Sequence, residues 1–227
     1  METSPSWTTP SYEVQCVTLV VIDYGAANLG SVCRALRRLG ADPYVSADPA
    51  DLQAATHIVL PGVGSFADCA RNLRDGGWVQ AIQTQVREHN KAMLGVCVGM
   101  QLLADEGTEW GIHAGLGLVP GRVQRLNDLG CKLRIPHVGW NELSVRAGQD
   151  HLLRGVPSGS DMYFVHSYAM HVENPEDLWA TVDYGVPLAA VVGRNRVMGV
   201  QFHPEKSSKA GLKVLRNFLD IPVAAPC

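Results

Sequence analysis

The sequence predicts an α/β fold: a mostly parallel open sheet with helices on both faces, and additional antiparallel strands in the C-terminal half. Three observations carry this prediction. Apolar runs of strand length alternate with helical stripes across residues 17–96. Two of those runs end in glycine-rich turns, PGVG at 61–64 and GVCVG at 95–99. Beyond about residue 118 the apolar runs become shorter and more closely spaced.

The first strand is the β-branched and aliphatic run 17–22, continuous enough to be buried on both faces. Leu29, Val32, Cys33, Leu36 and Leu39 then fall at helical spacing, with Gly40 as a stop signal, so Cys33 reads as core. A second strand is expected near 43–45 and a third at 57–60, running into PGVG. Helical pattern resumes over 66–73 and again from Trp78 through Ile82 to Val86, before a strand at 92–96. In the second half, strands are expected at 118–126, 162–165, 179–182, 188–192 and 196–202. A last helix, 209–219, carries Leu212, Leu215, Phe218 and Leu219 on one side. No internal repeat or long linker divides the chain, which predicts one domain over 17–220, a disordered extension over 1–16 and a short tail over 221–227.

Composition narrows the function classes. The chain has 227 residues, 46% hydrophobic and 18% charged, with a net charge of −3, so it lacks the basic footprint of a nucleic-acid or anionic-membrane binder. No apolar run approaches the roughly 20 residues that span a bilayer. The first fifteen residues lack the basic start and apolar centre of a signal peptide, and they contain no arginine. The six cysteines, at 16, 33, 69, 97, 131 and 227, form no CxxC pair and no close Cys/His ligand spacing. Neither a metal site nor a disulfide framework is predicted, and a reducing, cytoplasmic setting is expected.

The chemistry is concentrated in LGVCVGMQ at 94–101. A strand that turns sharply into a helix lifts one side chain above the sheet, and flanking glycines permit both the tight backbone path and a close approach by substrate. Cys97 between Gly95 and Gly99 fits that geometry, at a helix N-terminus that favours a thiolate. A buried structural cysteine is the plainer alternative. A thiol nucleophile needs a base, and QFHPE at 201–205 offers one: residues two apart on an extended segment share a side, so Glu205 can orient His203. Seen alone, His-Pro-Glu also reads as a surface turn. The N–H groups of PGVG, with that of Val98, supply candidate oxyanion donors at the same sheet edge.

Together GVCVGMQ and QFHPE resemble the class I glutamine amidotransferases, and the resemblance runs over residues 17–219. Within them, IDYGAAN (22–28), PGVGSF (61–66), PHVGWN (136–141), YFVHSY (163–168) and HPEKS (203–207) resemble the glutaminase subunit of imidazole glycerol phosphate synthase. Val98, Val138 and Ala27 stand where Leu, Met and Gly are usual in that pattern; Ala27 bears on the path of its loop.

The resemblance implies a class I amidotransferase-like fold and a Cys97–His203–Glu205 triad that hydrolyses glutamine. It implies Val63 as a switchable oxyanion donor beside Val98. Gly64, Gln101, Glu109, Ser167 and Tyr168 would hold the amino-acid end of the substrate; bare of the resemblance, Gln101 and Glu109 read as exposed helix and loop residues. Asn28, Trp140, Tyr163 and Lys206 would meet a (β/α)₈-barrel cyclase subunit in a heterodimer, and no cofactor is implied. Glutaminase subunits serving pyridoxal phosphate, anthranilate or guanylate synthesis, a stand-alone cysteine hydrolase, and a regulatory module that keeps only the pocket are the alternatives.

Overall fold

The computed structural model describes residues 18–223, apart from 27, 147 and 149. The expected extension over 1–16 and the end of the tail lie outside the described residues, as does Ala27. Among the described residues no helix is long and apolar enough to cross a membrane.

The first half alternates as its pattern predicts: β1 (Leu19–Ile22), α1 (Leu29–Arg38), β2 (Tyr44–Ser46), β3 (His57–Gly62), α2 (Phe66–Asp75), α3 (Trp78–Arg87) and β4 (Ala92–Cys97). Strand β3 runs two residues further than expected and takes in Pro61 and Gly62. Beyond β4 come a four-residue helix α4 (Val98–Gln101), β5 (Glu106–Gly107), β6 (His113–Ala114), β7 (Gly121–Arg125), β8 (His137–Val145) and α5 (Asp150–Leu153). The chain then forms β9 (Asp161–His166), β10 (Tyr168–Val172), β11 (Leu178–Asp183), β12 (Pro187–Arg194), β13 (Val197–Val200) and α6 (Ser208–Leu219).

Nine strands form one sheet in the order β2-β1-β3-β4-β13-β12-β11-β8-β9. The first five are mutually parallel, and the pairings from β13 outward to β9 are antiparallel. A smaller sheet, β10-β7-β5-β6, holds the remaining strands. The chain passes from β1 one way to β2, then crosses back to β3 and on to β4. With right-handed crossovers these opposite directions put α1 on one face and the β3–β4 helices on the other. The direction reverses between β1 and β3, so a crevice opens at the carboxyl ends of those strands, where ligands of open α/β sheets collect.

Interior strands such as β1, β3 and β4 are buried along their whole length, which accounts for their continuous apolar runs. The buried apolar side chains form one cluster that includes Val20, Ile58 and Leu94 of the large sheet and Val123 of the small one. Cys33 is buried on α1, as its stripe predicts.

Four strands have no counterpart among those expected: β5 and β6, of two residues each and too short to carry a pattern, and the longer β8 and β10. β8 exposes Val138 and Trp140 while burying His137 and Leu143, so its polarity alternates against the usual sense. β10 is separated from β9 by Ser167 alone, so the two look like one run.

The turn from β4 into α4 depends on close backbone packing. A Cβ at Gly99 would collide with the Leu60 carbonyl oxygen of β3, and one at Gly95 with the Gly99 carbonyl. Gly99→Ala is therefore expected to destabilise the protein by about 4 kcal/mol or to prevent folding. Gly30→Ala, in an open position on α1, is expected to stabilise it by about 0.5 kcal/mol. Urea unfolding of both variants checks the contrast; equal, small effects would remove the packing account of the turn.

Candidate active site

Cys97 is the last residue of β4 and caps α4 with φ 56° and ψ −114°. A non-glycine residue at positive φ costs about 1–3 kcal/mol and persists only where its surroundings fix it. Here the glycines at 95 and 99 let neighbouring backbone close around the turn. The parallel register sets Gly62 of β3 beside Cys97 on one side. On the other, Val200 of β13 lies beside Val96, so the chain continues past β13 directly alongside the thiol.

His203 arrives along that continuation. Its backbone N–H donates to the Tyr163 carbonyl at 2.9 Å, and its Nδ1 lies 2.9 Å from Glu205 Oε1. The route to that contact differs from the sequence expectation. His203 is extended, but Pro204 to Lys206 form a 3-10 turn, so Glu205 curls back to the ring instead of lying two places along a strand. Both side chains are nearly inaccessible, at 5% and 1%. Among the described residues Glu205 Oε2 has no hydrogen-bond partner.

Burial alone would push the His203 imidazole down. Its hydrogen bonds to Cys97 and Glu205, and the negative charge of those groups, outweigh burial and raise it from 6.5 to about 9. The ring therefore holds a proton at neutral pH.

Cys97 and His203 open into a cavity of about 360 Å³ that is also lined by Gly64, Gln101, Glu109, Ser167 and Tyr168. All seven belong to the constellation expected from sequence. Gln101 is buried, against the reading of it as an exposed helix residue; its Nε2 donates to the Tyr168 carbonyl and to Gln201 Oε1, both at 3.0 Å. Glu109 also has structural work, since its Oε2 accepts from the Phe66 N–H at the start of α2 at 2.6 Å. Gln201 is a further buried neighbour of the sulfur that sequence reasoning left without a role.

The two expected oxyanion donors differ in this conformation. Val98 is the first residue of α4, where helix N–H groups lack intrahelical partners. The Val63 N–H, by contrast, donates to the Ala26 carbonyl at 3.1 Å, and the Val63 carbonyl accepts from Cys69 Sγ at 3.5 Å. In this conformation the Val63 donor is engaged across the β1–β3 crevice and is not offered to the cavity. Gly64, at φ 102°, follows directly.

The four residues expected at a partner contact are not all gathered in one contact. Trp140 is half exposed and packs edge-to-face on Tyr163 at 6.0 Å, and Lys206 Nζ lies 5.7 Å from the Tyr163 ring centre. Asn28 caps α1 without a side-chain hydrogen bond. Trp140, Glu205 and Lys206 line a broad groove together with Arg34, Arg37 and Arg38 of α1.

Two further histidines pair at the wall of the cavity, where His166 is a lining residue. His166 Nδ1 is 2.9 Å from the Tyr168 carbonyl, which can only accept, so that nitrogen carries the proton. His166 Nε2 is then the acceptor for His137 Nδ1 at 2.9 Å. Burial pushes His166 down to about 4, and lowers His137 as well.

Known proteins resemble this chain in sequence and in fold. The family model described as "Glutamine amidotransferase class-I" matches residues 20–221. A Rhodospirillum rubrum protein named "Imidazole glycerol phosphate synthase subunit HisH" is 45% identical over 208 residues, covering 88% of this chain and 97% of that one. A protein of the same name from Desulfitobacterium hafniense is 48% identical over 198 residues, covering 87% and 92%. Among solved structures, one titled "Crystal structure of glutamine amidotransferase" superposes with a TM-score of 0.70 at 22% identity, covering 88% of this chain and 97% of that one. "Structure of PurLQS from Thermotoga maritima" gives 0.69 at 20%, covering 89% and 97%. These two likenesses concern the fold.

The two histidine environments predict opposite titrations. In Cys97→Ala or Glu205→Gln, His203 is expected to titrate well below about 9, as followed by imidazole NMR; an unchanged midpoint would refute the pairing. His166 is neutral in the folded chain down to about 4, whereas its ordinary value is 6.5. The unfolded chain thus binds the extra proton between those values. Stability contributed by this neutral ring is complete above pH 6.5 and falls toward pH 4, by up to about 1.4 kcal/mol per pH unit. His166→Gln should flatten that part of the urea-measured profile.

Proposed function

The chain belongs to the class I glutamine amidotransferases, and from that premise we propose that it is the glutamine-hydrolysing subunit of an imidazole glycerol phosphate synthase. The observation that carries the chemistry is that Cys97 and His203, more than a hundred residues apart, line one cavity while Glu205 holds the His203 ring from behind. The subunit assignment draws on relatives 45% and 48% identical over nearly the whole of their length.

In this reading the Cys97 sulfur attacks the carboxamide carbon of glutamine. The carbonyl oxygen takes up negative charge and is met by the Val98 N–H. His203 gives its proton to the departing ammonia, then takes one from the water that hydrolyses the γ-glutamyl thioester, returning Cys97 and releasing glutamate. Glu205 keeps the ring oriented and stabilises its charged form. Gly64, Gln101, Glu109, Ser167 and Tyr168 hold the substrate.

The engaged Val63 N–H gives the reading a regulatory consequence. An absent oxyanion donor costs about 3 kcal/mol of barrier, or on the order of a hundredfold in rate. Rotation of the Gly62–Val63 peptide away from Ala26 would supply it, and binding of the partner and its ligand is the event proposed to drive that rotation.

Ammonia released into neutral water becomes ammonium and loses its nucleophilicity, so a direct route to an acceptor is required. The proposed partner is a (β/α)₈-barrel cyclase that joins ammonia to a phosphoribulosyl-formimino nucleotide, making imidazole glycerol phosphate and an aminoimidazole carboxamide ribotide. The groove beside Glu205, rimmed by Trp140, Lys206 and the α1 arginines, supports a docking face there for an acidic partner surface, with Tyr163 against Trp140 and Lys206; Asn28, at the start of α1, is proposed as a further contact. A cytoplasmic setting accords with the free thiols at Cys33, Cys69, Cys97 and Cys131.

The test is a glutaminase assay with and without the barrel subunit and its nucleotide. Basal turnover is expected to be weak and to rise on the order of a hundredfold when both are present. Cys97→Ala should abolish glutamine-dependent synthesis while ammonia-dependent synthesis by the complex persists. Full turnover by the isolated chain would instead indicate a stand-alone hydrolase.

A further inference from the structure

Gln201 is fully buried and follows β13 directly. Because Val200 lies beside Val96 in the parallel β13–β4 pairing, the next residue on each strand brings Gln201 alongside Cys97. Its backbone N–H is taken by the Ala190 carbonyl at 2.9 Å. The side-chain amide is left to meet the sulfur, with Nε2 3.8 Å from Sγ.

A primary amide offers a donor one way round and an acceptor the other, so its effect on the sulfur depends on what fixes its orientation. Gln101 Nε2 lies 3.0 Å from the Tyr168 carbonyl and 3.0 Å from the other end of the Gln201 amide. A backbone carbonyl only accepts, so Gln101 must turn its nitrogen toward Tyr168. The second hydrogen of that nitrogen then requires an oxygen from Gln201. With Oε1 so committed, Gln201 Nε2 faces Cys97. The same Tyr168 oxygen accepts from His166 Nδ1 on its second lone pair, so the starting point is itself held from two sides.

We propose that Gln201 is a catalytic residue of this site: its side-chain N–H donates to the Cys97 sulfur, and Gln101 is the positioning residue that presents it. Sulfur accepts a hydrogen bond better as an anion than as a thiol, so the contact favours the nucleophilic form. The same N–H serves the second half of the reaction. When water adds to the thioester carbon and the C–S bond breaks, the electron pair returns to sulfur against this donor, and the proton from water passes to His203. The proposal rests on the reading of Cys97 as the nucleophile.

Gln201→Met is the most selective test, because it removes the donor without adding charge, and Gln201→Glu is the stronger perturbation. The latter preserves length and still offers an oxygen to Gln101, but turns a carboxylate oxygen toward the sulfur. The readout is the pH dependence of Cys97 alkylation by iodoacetamide in the full chain, followed on the Cys97 peptide by mass spectrometry. Losing the donor, with the like charge of the buried carboxylate added, is expected to raise the midpoint by at least about one pH unit and to lower kcat/KM for glutamine about tenfold, at a lowered melting temperature because the carboxylate is fully buried. Gln201→Met should shift the midpoint in the same direction by less, and Gln101→Glu, which cannot donate to Tyr168, should shift it as well. An unchanged midpoint in folded Gln201→Met overturns the proposal; if that variant does not fold, an unchanged midpoint in Gln201→Glu overturns it. Alkylation needs no turnover, so this outcome is separate from whether Cys97→Ala abolishes hydrolysis.

Discussion

The close approach of the β4–α4 backbone to β3 is the constraint on which the site depends. Glycines at 95 and 99 remove the two Cβ atoms that would meet carbonyl oxygens there. With that space available, Cys97 is held at positive φ and its sulfur rises above the sheet edge. The parallel registers do the rest. β3 brings the Gly62–Val63 peptide to one side of the sulfur, and β13 brings Gln201 and His203 to the other. Residues distant in sequence meet because three neighbouring strands run in the same direction and end at the same level.

Around the sulfur, burial acts on histidines in two opposed ways. His166 has a carbonyl and a second neutral ring as neighbours, nothing there compensates a positive charge, and the imidazole stays neutral. His203 is also buried, but it lies between a carboxylate and a thiol, and their attraction exceeds the desolvation cost. One ring is thus a rigid spacer with a fixed tautomer and the other a proton carrier. Residue type alone does not distinguish them; the neighbouring charges do.

Much of this was legible in the sequence where local pattern and tertiary environment agree. The parallel strands are buried on both faces, so their apolar runs are unbroken, and the turn at Cys97 carries its glycines within two residues on either side. Strand β8 was not legible because it turns Val138 and Trp140 outward. The environment of Gln101 was hidden for a similar reason: a polar residue on a short helix reads as exposed, and only its non-local partners, Tyr168 and Gln201, account for its burial. The sheet edge on which the Val63 turn lies made its N–H a candidate donor but left its resting direction open. The direction of a single peptide, here toward Ala26, is set by contact between two loops and has no signature in either.

The hydrogen-bond chain at the wall of the cavity has a direction that follows from donor and acceptor chemistry alone. Asn141, next to Trp140 on β8, donates through Nδ2 to the Asp183 carbonyl at 2.7 Å and lies 3.3 Å from His137 Nε2. His137 then donates to His166, and His166 to Tyr168. From the other side Gln101 donates to that same carbonyl. Two chains therefore end on one oxygen, and neither can be reversed without presenting an acceptor to an acceptor. Buried polar groups in such a network are costly to leave unpaired, so protonating either ring or turning either amide disturbs every member at once. Strand β8 carries Trp140 at the proposed partner face, and the network ends at Cys97. Its members thus hold the reacting sulfur and the exposed strand in one defined relation, which a side chain packed only by apolar contact would leave free to rotate.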